Sequence, residues 1–235
     1  MPTNNIEALP EGRILYLDHQ VMAVYKEAGE PVQGDQTGDV PLLEKARAFI
    51  QKKFNKPGNV FCGLIHRIDR PVSGVLLLAR TSKALSRMNE AFKLRETRKI
   101  YHVLVRHTDV PQQGTLIHFL KRNPANNTTK VVSAQTSGAQ EARLHFTRLF
   151  TGTHLTLLEI ELETGRHHQI RAQLSAMGWP IYGDVKYGDK RPLEDKSIAL
   201  HAFRLHFCHP TTKEMITVEA PYPERPWWKS FRQQK

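Results

Sequence analysis

Cysteine is nearly missing from this chain of 235 residues: only Cys62 and Cys208 occur, 146 positions apart and in no Cys-x-x-Cys arrangement. That argues against a disulfide framework or a zinc knuckle and fits a reducing cytoplasm. No apolar run approaches the roughly 20 residues of a membrane span. The opening Met-Pro-Thr-Asn-Asn-Ile-Glu lacks the basic-then-apolar pattern of a secretory signal, so a cytoplasmic chain with no membrane partner is expected. Acidic residues are the other scarcity, with 23 Asp and Glu against 34 Lys and Arg, a formal charge of +11. What remains is ordinary: 40% hydrophobic residues, no repeat, no low-complexity stretch and ample length for a real core.

The charge excess is concentrated. Between Phe61 and His107 stand Arg67, Arg70, Arg80, Lys83, Arg87, Lys93, Arg95, Arg98, Lys99 and Arg106, opposed only by Asp69, Glu90 and Glu96. Such a cluster suits a polyanionic partner, because every neutralised phosphate releases a counterion. Charge by itself does not separate RNA from DNA or from a membrane surface, and a merely solvated helix face has the same composition.

The chain reads as one compact domain over residues 14–220, between a flexible segment 1–13 and a tail 221–235 laid over the surface. Ile14–Leu17 and Val21–Tyr25 predict a hairpin around Asp18-His19-Gln20. After Asp39 and Pro41, a helix is expected with Leu42, Leu43, Ala46, Phe49 and Ile50 on one face. Val75–Ala79 predicts a short buried strand, and Thr81 or Ser82 caps the next helix, with Leu85, Met88 and Phe92 inward. Ile100–Val105 predicts another strand. The second half is mainly β. The apolar phase slips between Leu157 and Leu158, which suggests a bulge, and Ile170, Leu174 and Met177 mark a short helix closed by Gly178. Strands outnumber helices without a βαβ rhythm, so the class is α+β, a largely antiparallel mixed sheet flanked by helices.

Two segments carry chemistry. In His66-Arg67-Ile68-Asp69-Arg70-Pro71-Val72-Ser73-Gly74, one carboxylate stands among two arginines and a histidine, ahead of a turn fixed by Pro and Gly. Nearby positive charge keeps such an Asp ionised, as a nucleophile requires, although an Asp that merely pairs with its arginines has the same spacing. The second segment, Leu162-Glu163-Thr164-Gly165-Arg166-His167-His168-Gln169-Ile170-Arg171, opens a helix after a strand, where backbone N–H groups favour an anion. Gly178-Trp179-Pro180-Ile181-Tyr182-Gly183-Asp184 follows it. His201, His206 and His209, on a strand, point in mixed directions and have no cysteine or carboxylate cluster beside them, so no metal site is expected.

Taken together, these segments resemble the RluA-type family of RNA pseudouridine synthases. Its signature is His-Arg-Leu-Asp-Arg followed by Ser-Gly, then Thr-Gly-Arg-x-His-Gln-(Ile/Leu)-Arg and Gly-x-Pro-Ile-x-Gly-Asp. The likeness runs from about Ile14 to Val218 and differs in Ile68 for Leu, Val72 for Thr, and His167 at the variable position. The resemblance implies the pseudouridine-synthase catalytic fold and a catalytic set of Asp69 as nucleophile, Arg171 as its partner and Tyr101 packed on the uracil. It places Arg67 in the base stack and Leu174 in the apolar pocket. His66, Arg70, Arg166, Gln169, Lys83 and Arg98 complete the expected substrate side, with His66 and His168 ordering their loops. Lys121, Arg122 and Lys130, in a polar stretch expected to be a mobile loop that orders on RNA, are further candidates for phosphates.

The implied reaction breaks the bond from ribose C1′ to N1 of uracil, turns the base and rejoins it through C5. A stacked base must be flipped out for this, and the pocket must keep it from water. One carboxylate suffices where a glycoside hydrolase needs two, since no water is activated. Whether Asp69 attacks C1′, attacks C6 or deprotonates C2′ is not legible in sequence. No cofactor or metal is expected, a monomer is expected, and the resemblance to the short form without an S4-type domain implies action on a stem-loop of transfer or large-subunit ribosomal RNA. Two rivals are a non-catalytic RNA-binding protein of the same fold and a metal-dependent nuclease. The first predicts loss of Asp69 or Arg171, and the second a carboxylate or histidine cluster.

Overall fold

The computed structural model describes residues 6–35, 37–106 and 109–232. They fall into two compact units, one from Met1–Thr97 with Arg204–Pro221 and the other from Arg98–Phe203 with Tyr222–Lys235.

In the first unit, β1 (Ile14–Leu17) pairs antiparallel with β2 (Val21–Lys26), and β2 with β4 (Ser73–Ala79). The two-residue β3 (Gly63–Leu64) adds to β4, and β11 (Met215–Glu219) pairs with the Arg204–Cys208 part of β10 (Leu200–Cys208). Strands β2 and β4 are apolar on both faces because each face is covered by a helix. Val21, Ala23, Val75, Leu77 and Ala79 meet Ala84 and Met88 of α2 (Ser82–Lys93). Met22, Val24, Leu76 and Leu78 meet Leu42, Ala46, Phe49 and Ile50 of α1 (Leu42–Lys53). Thr81 caps α2, its Oγ1 accepting from Ala84 N at 3.1 Å. Within residues 6–13, Leu9 is buried and its N–H is bonded to Lys45 O. The remainder of the 1–13 segment expected to be flexible, residues 1–5, lies outside the described residues.

The second unit is an antiparallel run β5 (Arg98–Val105), β9 (Thr156–Leu162), β8 (Gln140–Thr151), β6 (Gln113–Asn123) and β7 (Thr128–Val132). The bulge signalled at Leu157 and Leu158 lies in the partner strand, between Arg148 and Phe150 of β8. Residues 121–130, expected to be a loop, instead form the end of the β6–β7 hairpin, with Lys121 opposite Lys130 and Asn123 opposite Thr128. Leu120 and Val131 behind that end pack on Ala172 and Tyr187.

Helix α3 (Gln169–Ala176) follows β9. The 221–235 segment, read as a tail, contains α4 (Pro226–Arg232), which buries Trp228 and Phe231. Trp228 stacks on Tyr222 at 5.1 Å, and Phe231 meets Phe150 edge-on, so these aromatic rings are structural anchors.

Candidate active site

In the first unit, Asp69 is half-buried on the turn between β3 and β4, whose backbone closes through Val72 N–H donating to Asp69 O at 3.0 Å. Below that turn the ammonium of Lys26 is fully buried. It donates to the carbonyls of Arg70 and Glu27 at 2.9 Å and of Val72 at 2.7 Å. Burial pushes the Lys26 ammonium down to about 7, while the negative charges of Glu30 and Asp69 act to hold it up. A cation with three carbonyl partners ties the Asp69 turn to the end of β2.

The neighbours of Asp69 diverge. Arg70 turns back onto the 29–39 loop, donating to Gly29 O at 2.8 Å, Thr37 Oγ1 at 2.9 Å and Asp35 at 3.0 Å, with Asp39 also bound. Gly29, at φ +89°, returns its N–H to Arg70 O at 2.7 Å. Arg67 is exposed and makes no ion pair or hydrogen bond among the described residues. His66 stacks on Phe92, and its Nε2 accepts the N–H of Leu77 at 3.0 Å, which joins the motif to β4 and α2. Lys83 stands exposed on α2.

In the second unit, Tyr101 is half-buried on β5 opposite Ile160. Arg98, at the start of that strand, forms an exposed two-pronged pair with Glu161 at 2.6 and 2.7 Å. The turn from β9 into α3 is woven from its own side chains. Gln169 Oε1 accepts from Thr164 Oγ1 at 2.8 Å and Arg166 N at 3.0 Å, and its Nε2 donates to Arg143 O. Arg166 Nε donates to Glu141 O. Thus Gln169 and Arg166 hold the turn that delivers Arg171.

His168, in the left-handed region at φ +50°, is hydrogen-bonded through Nδ1 to the Tyr187 hydroxyl at 2.8 Å, and that hydroxyl accepts Thr129 N–H at 2.8 Å. Burial, with the charges of Arg171, His167, Lys186 and Arg122, drives the His168 imidazolium down to about 2, so the ring is neutral. His167 stacks on it and bonds Thr129 Oγ1.

Arg171 is buried on α3, and the fully buried Leu174 follows one turn later. The guanidinium donates through Nε and Nη2 to Asp184 Oδ2 and Oδ1 at 2.7 and 2.8 Å, and lies 4.7 Å above the ring of Tyr187. Gly183, at φ +88°, sets the turn carrying Asp184; a Cβ there runs into Leu193. Lys26, Asp184 and Tyr187 are the residues that sequence reasoning overlooked. Asp184 stood at the end of a quoted motif, while Lys26 had no signal beyond a charge closing an apolar strand. Among the described residues, no cluster of His, Cys, Asp and Glu could hold a metal ion. No helix among them is long and apolar enough to cross a membrane.

The sequence model of the family described as RNA pseudouridylate synthase matches residues 20–176, a span that includes Asp69, Tyr101 and Arg171. The chain belongs to the RNA pseudouridine synthase family. Members isomerise uridine to pseudouridine in RNA, and the RluA-type resemblance of the two motifs agrees with that membership. The chain is 35% identical to an uncharacterized RNA pseudouridine synthase, YlyB, of Bacillus subtilis (strain 168), over 90% of this chain and 69% of that protein. It is 32% identical to a tRNA pseudouridine synthase C of Haemophilus ducreyi, covering 94% of both chains. It is also 32% identical to a ribosomal large subunit pseudouridine synthase D of Neisseria meningitidis, over 94% of this chain and 61% of that one. Human RNA Pseudouridylate Synthase Domain Containing 4 shares the fold at a TM-score of 0.74, with 21% identity over 90% of this chain and 88% of that one. The pseudouridine-synthase fold expected from sequence, α+β with a mainly antiparallel sheet, is the one observed.

Proposed function

We propose that this pseudouridine synthase modifies a uridine in a stem-loop of transfer RNA or large-subunit ribosomal RNA in the cytoplasm, with Asp69 as the nucleophile. The observation that carries the reading is the setting of Asp69. Its turn is fixed by the buried Lys26, its neighbour Arg70 is occupied by the acidic 35–39 loop, and Arg67 stands exposed beside it. A fixed carboxylate flanked by one arginine bound to the acidic loop and one exposed arginine suits a nucleophile beside a residue that enters a base stack.

In the reaction, the C1′–N1 bond breaks and a C1′–C5 bond forms, while C5 gives up its proton and N1 gains one. The base never leaves, so Tyr101 and Leu174 serve to pack the detached uracil, and Arg171 serves the reaction as a buried, directed donor. Arg67 supports the flipped state. Lys83, Lys121, Arg122 and Lys130, all exposed, contact phosphates. A relative matched over 94% of both chains is named a tRNA pseudouridine synthase, which makes transfer RNA the first to examine.

The test is a site-resolved pseudouridine map of total RNA, by carbodiimide adduct and primer extension, from cells with and without the gene. One or a few uridines in a stem-loop are expected to lose modification. An unchanged map, with purified protein still binding RNA, supports a non-catalytic RNA-binding role instead.

A further inference from the structure

We infer that the turn Asp184–Tyr187 is a clamp that positions Arg171 for the reaction, one residue by the edge of the guanidinium and the other by its face. The inference rests on the proposed role of Arg171 in catalysis. Asp184 takes Nε and Nη2 with its two oxygens, and the Tyr187 ring lies beneath Cζ. A planar group held along one edge and against one face has lost both its tilt and its swing.

Both jaws are braced from behind. Tyr187 N–H donates to Asp184 O at 3.0 Å, and Asp184 N–H to Ile181 O at 2.9 Å, so the two jaws move as one turn. The Tyr187 hydroxyl is fixed between Thr129 N–H and His168 Nδ1. Asp189, just beyond, accepts Gly183 N–H at 2.6 Å and pairs with Arg106 at 2.9 Å, which anchors the start of the same turn. Side-chain exposures of 6% for Arg171 and 1% for Asp184 leave water little access to the pair.

The charge arithmetic gives the clamp a functional consequence. With the buried Asp184 carboxylate on its edge, the charge of Arg171 is offset on that side, so what the clamp fixes is the direction of its donors. A lysine retains the charge but, with one nitrogen and no plane, cannot be held by edge and face. Asp184 and Tyr187 are therefore positioning residues that act through Arg171.

The experiment measures single-turnover rate and RNA Kd for Arg171→Lys, Arg171→Ala, Asp184→Asn and the double variant Arg171→Ala/Asp184→Asn. Arg171→Lys and Asp184→Asn are each expected to slow turnover about 100-fold, the order of loss for a group displaced by about 1 Å, with Kd within about twofold of wild type. The double variant is expected to be no slower than Arg171→Ala alone, because Asp184 has lost its route of action. Wild-type turnover in Asp184→Asn, or a further loss in the double variant, overturns the clamp. If Asp184→Asn does not fold, Arg171→Lys decides alone, and near-wild-type turnover there overturns it. Unchanged turnover in Arg171→Ala sinks the catalytic reading of Arg171 and the clamp together, whereas the other negative results leave that reading standing.

Discussion

The ammonium of Lys26 lies 2.7 Å from the carbonyl of Val72, fully buried under the turn that carries Asp69. Burial lowers this lysine from 10.5 to about 7. Between those values the unfolded chain holds a proton that the folded chain has released, so raising the pH favours folding. Wild-type Tm, compared with that of Lys26→Met, is expected to gain from pH 7 to pH 9, since the variant has no such titration. The substitution also takes the donor from the carbonyls of Glu27 and Val72, while Arg70 O keeps the N–H of Gly29, at about 1–3 kcal/mol for a buried acceptor left unpaired. Parallel pH profiles for the two proteins contradict this account of Lys26.

The Arg171–Asp184 pair separates stability from activity. Asp184→Ala leaves a buried guanidinium without its partner and is expected to cost about 3–5 kcal/mol in urea unfolding. Arg171→Met with Asp184→Leu removes both charges and is expected to recover most of that stability while remaining inactive. Recovery of turnover along with stability means that the pair serves folding alone.

The β6–β7 hairpin end places Lys121 directly opposite Lys130, an unfavourable pairing of like charges. Neither lysine has an ion-pair partner among the described residues, and a polyanion relieves the repulsion. Lys121→Ala and Lys130→Ala are each expected to reduce the slope of log K against log salt by about 0.7–0.9 for RNA, the effect of one phosphate contact. An unchanged slope removes these lysines from the RNA interface.

Arg67 is exposed and has no ion pair or hydrogen bond among the described residues, so Arg67→Ala is expected to change stability by less than about 0.5 kcal/mol. Its loss is felt where a base must be extruded. Turnover of a uridine within a stem is expected to fall more than turnover of one already looped out. Equal losses on both substrates reassign Arg67 to general binding.

Much of this architecture is legible in the sequence where periodicity or a special residue type leaves a trace. The α1 face of Leu42, Ala46, Phe49 and Ile50 follows the helical period, and Thr81 announces the start of α2. The slipped phase at Leu157 and Leu158 reveals a bulge but not which strand carries it, because register belongs to the pair. The 121–130 hairpin was hidden by its composition. Lys121 through Lys130 is polar apart from Pro124 and Ala125, so no alternation shows, and only Thr129 is buried. The C-terminal helix begins at Pro226, a favoured first helical residue, but its short span left the buried Trp228 and Phe231 looking like a surface tail.

The site divides in the same way. Asp69 and Arg171 stand within residue patterns that can be read as words. Lys26 and Asp184 act through partners 44 and 13 residues away, contacts that exist only once the chain has folded.

The most direct test of the central claim compares wild type with Asp69→Asn on the RNA whose modification depends on this gene, following pseudouridine formation at the mapped uridine alongside RNA affinity. The substitution keeps the shape of the side chain and removes its charge, so the account predicts affinity near wild type and no detectable pseudouridine. Formation of pseudouridine at the wild-type rate by Asp69→Asn contradicts it.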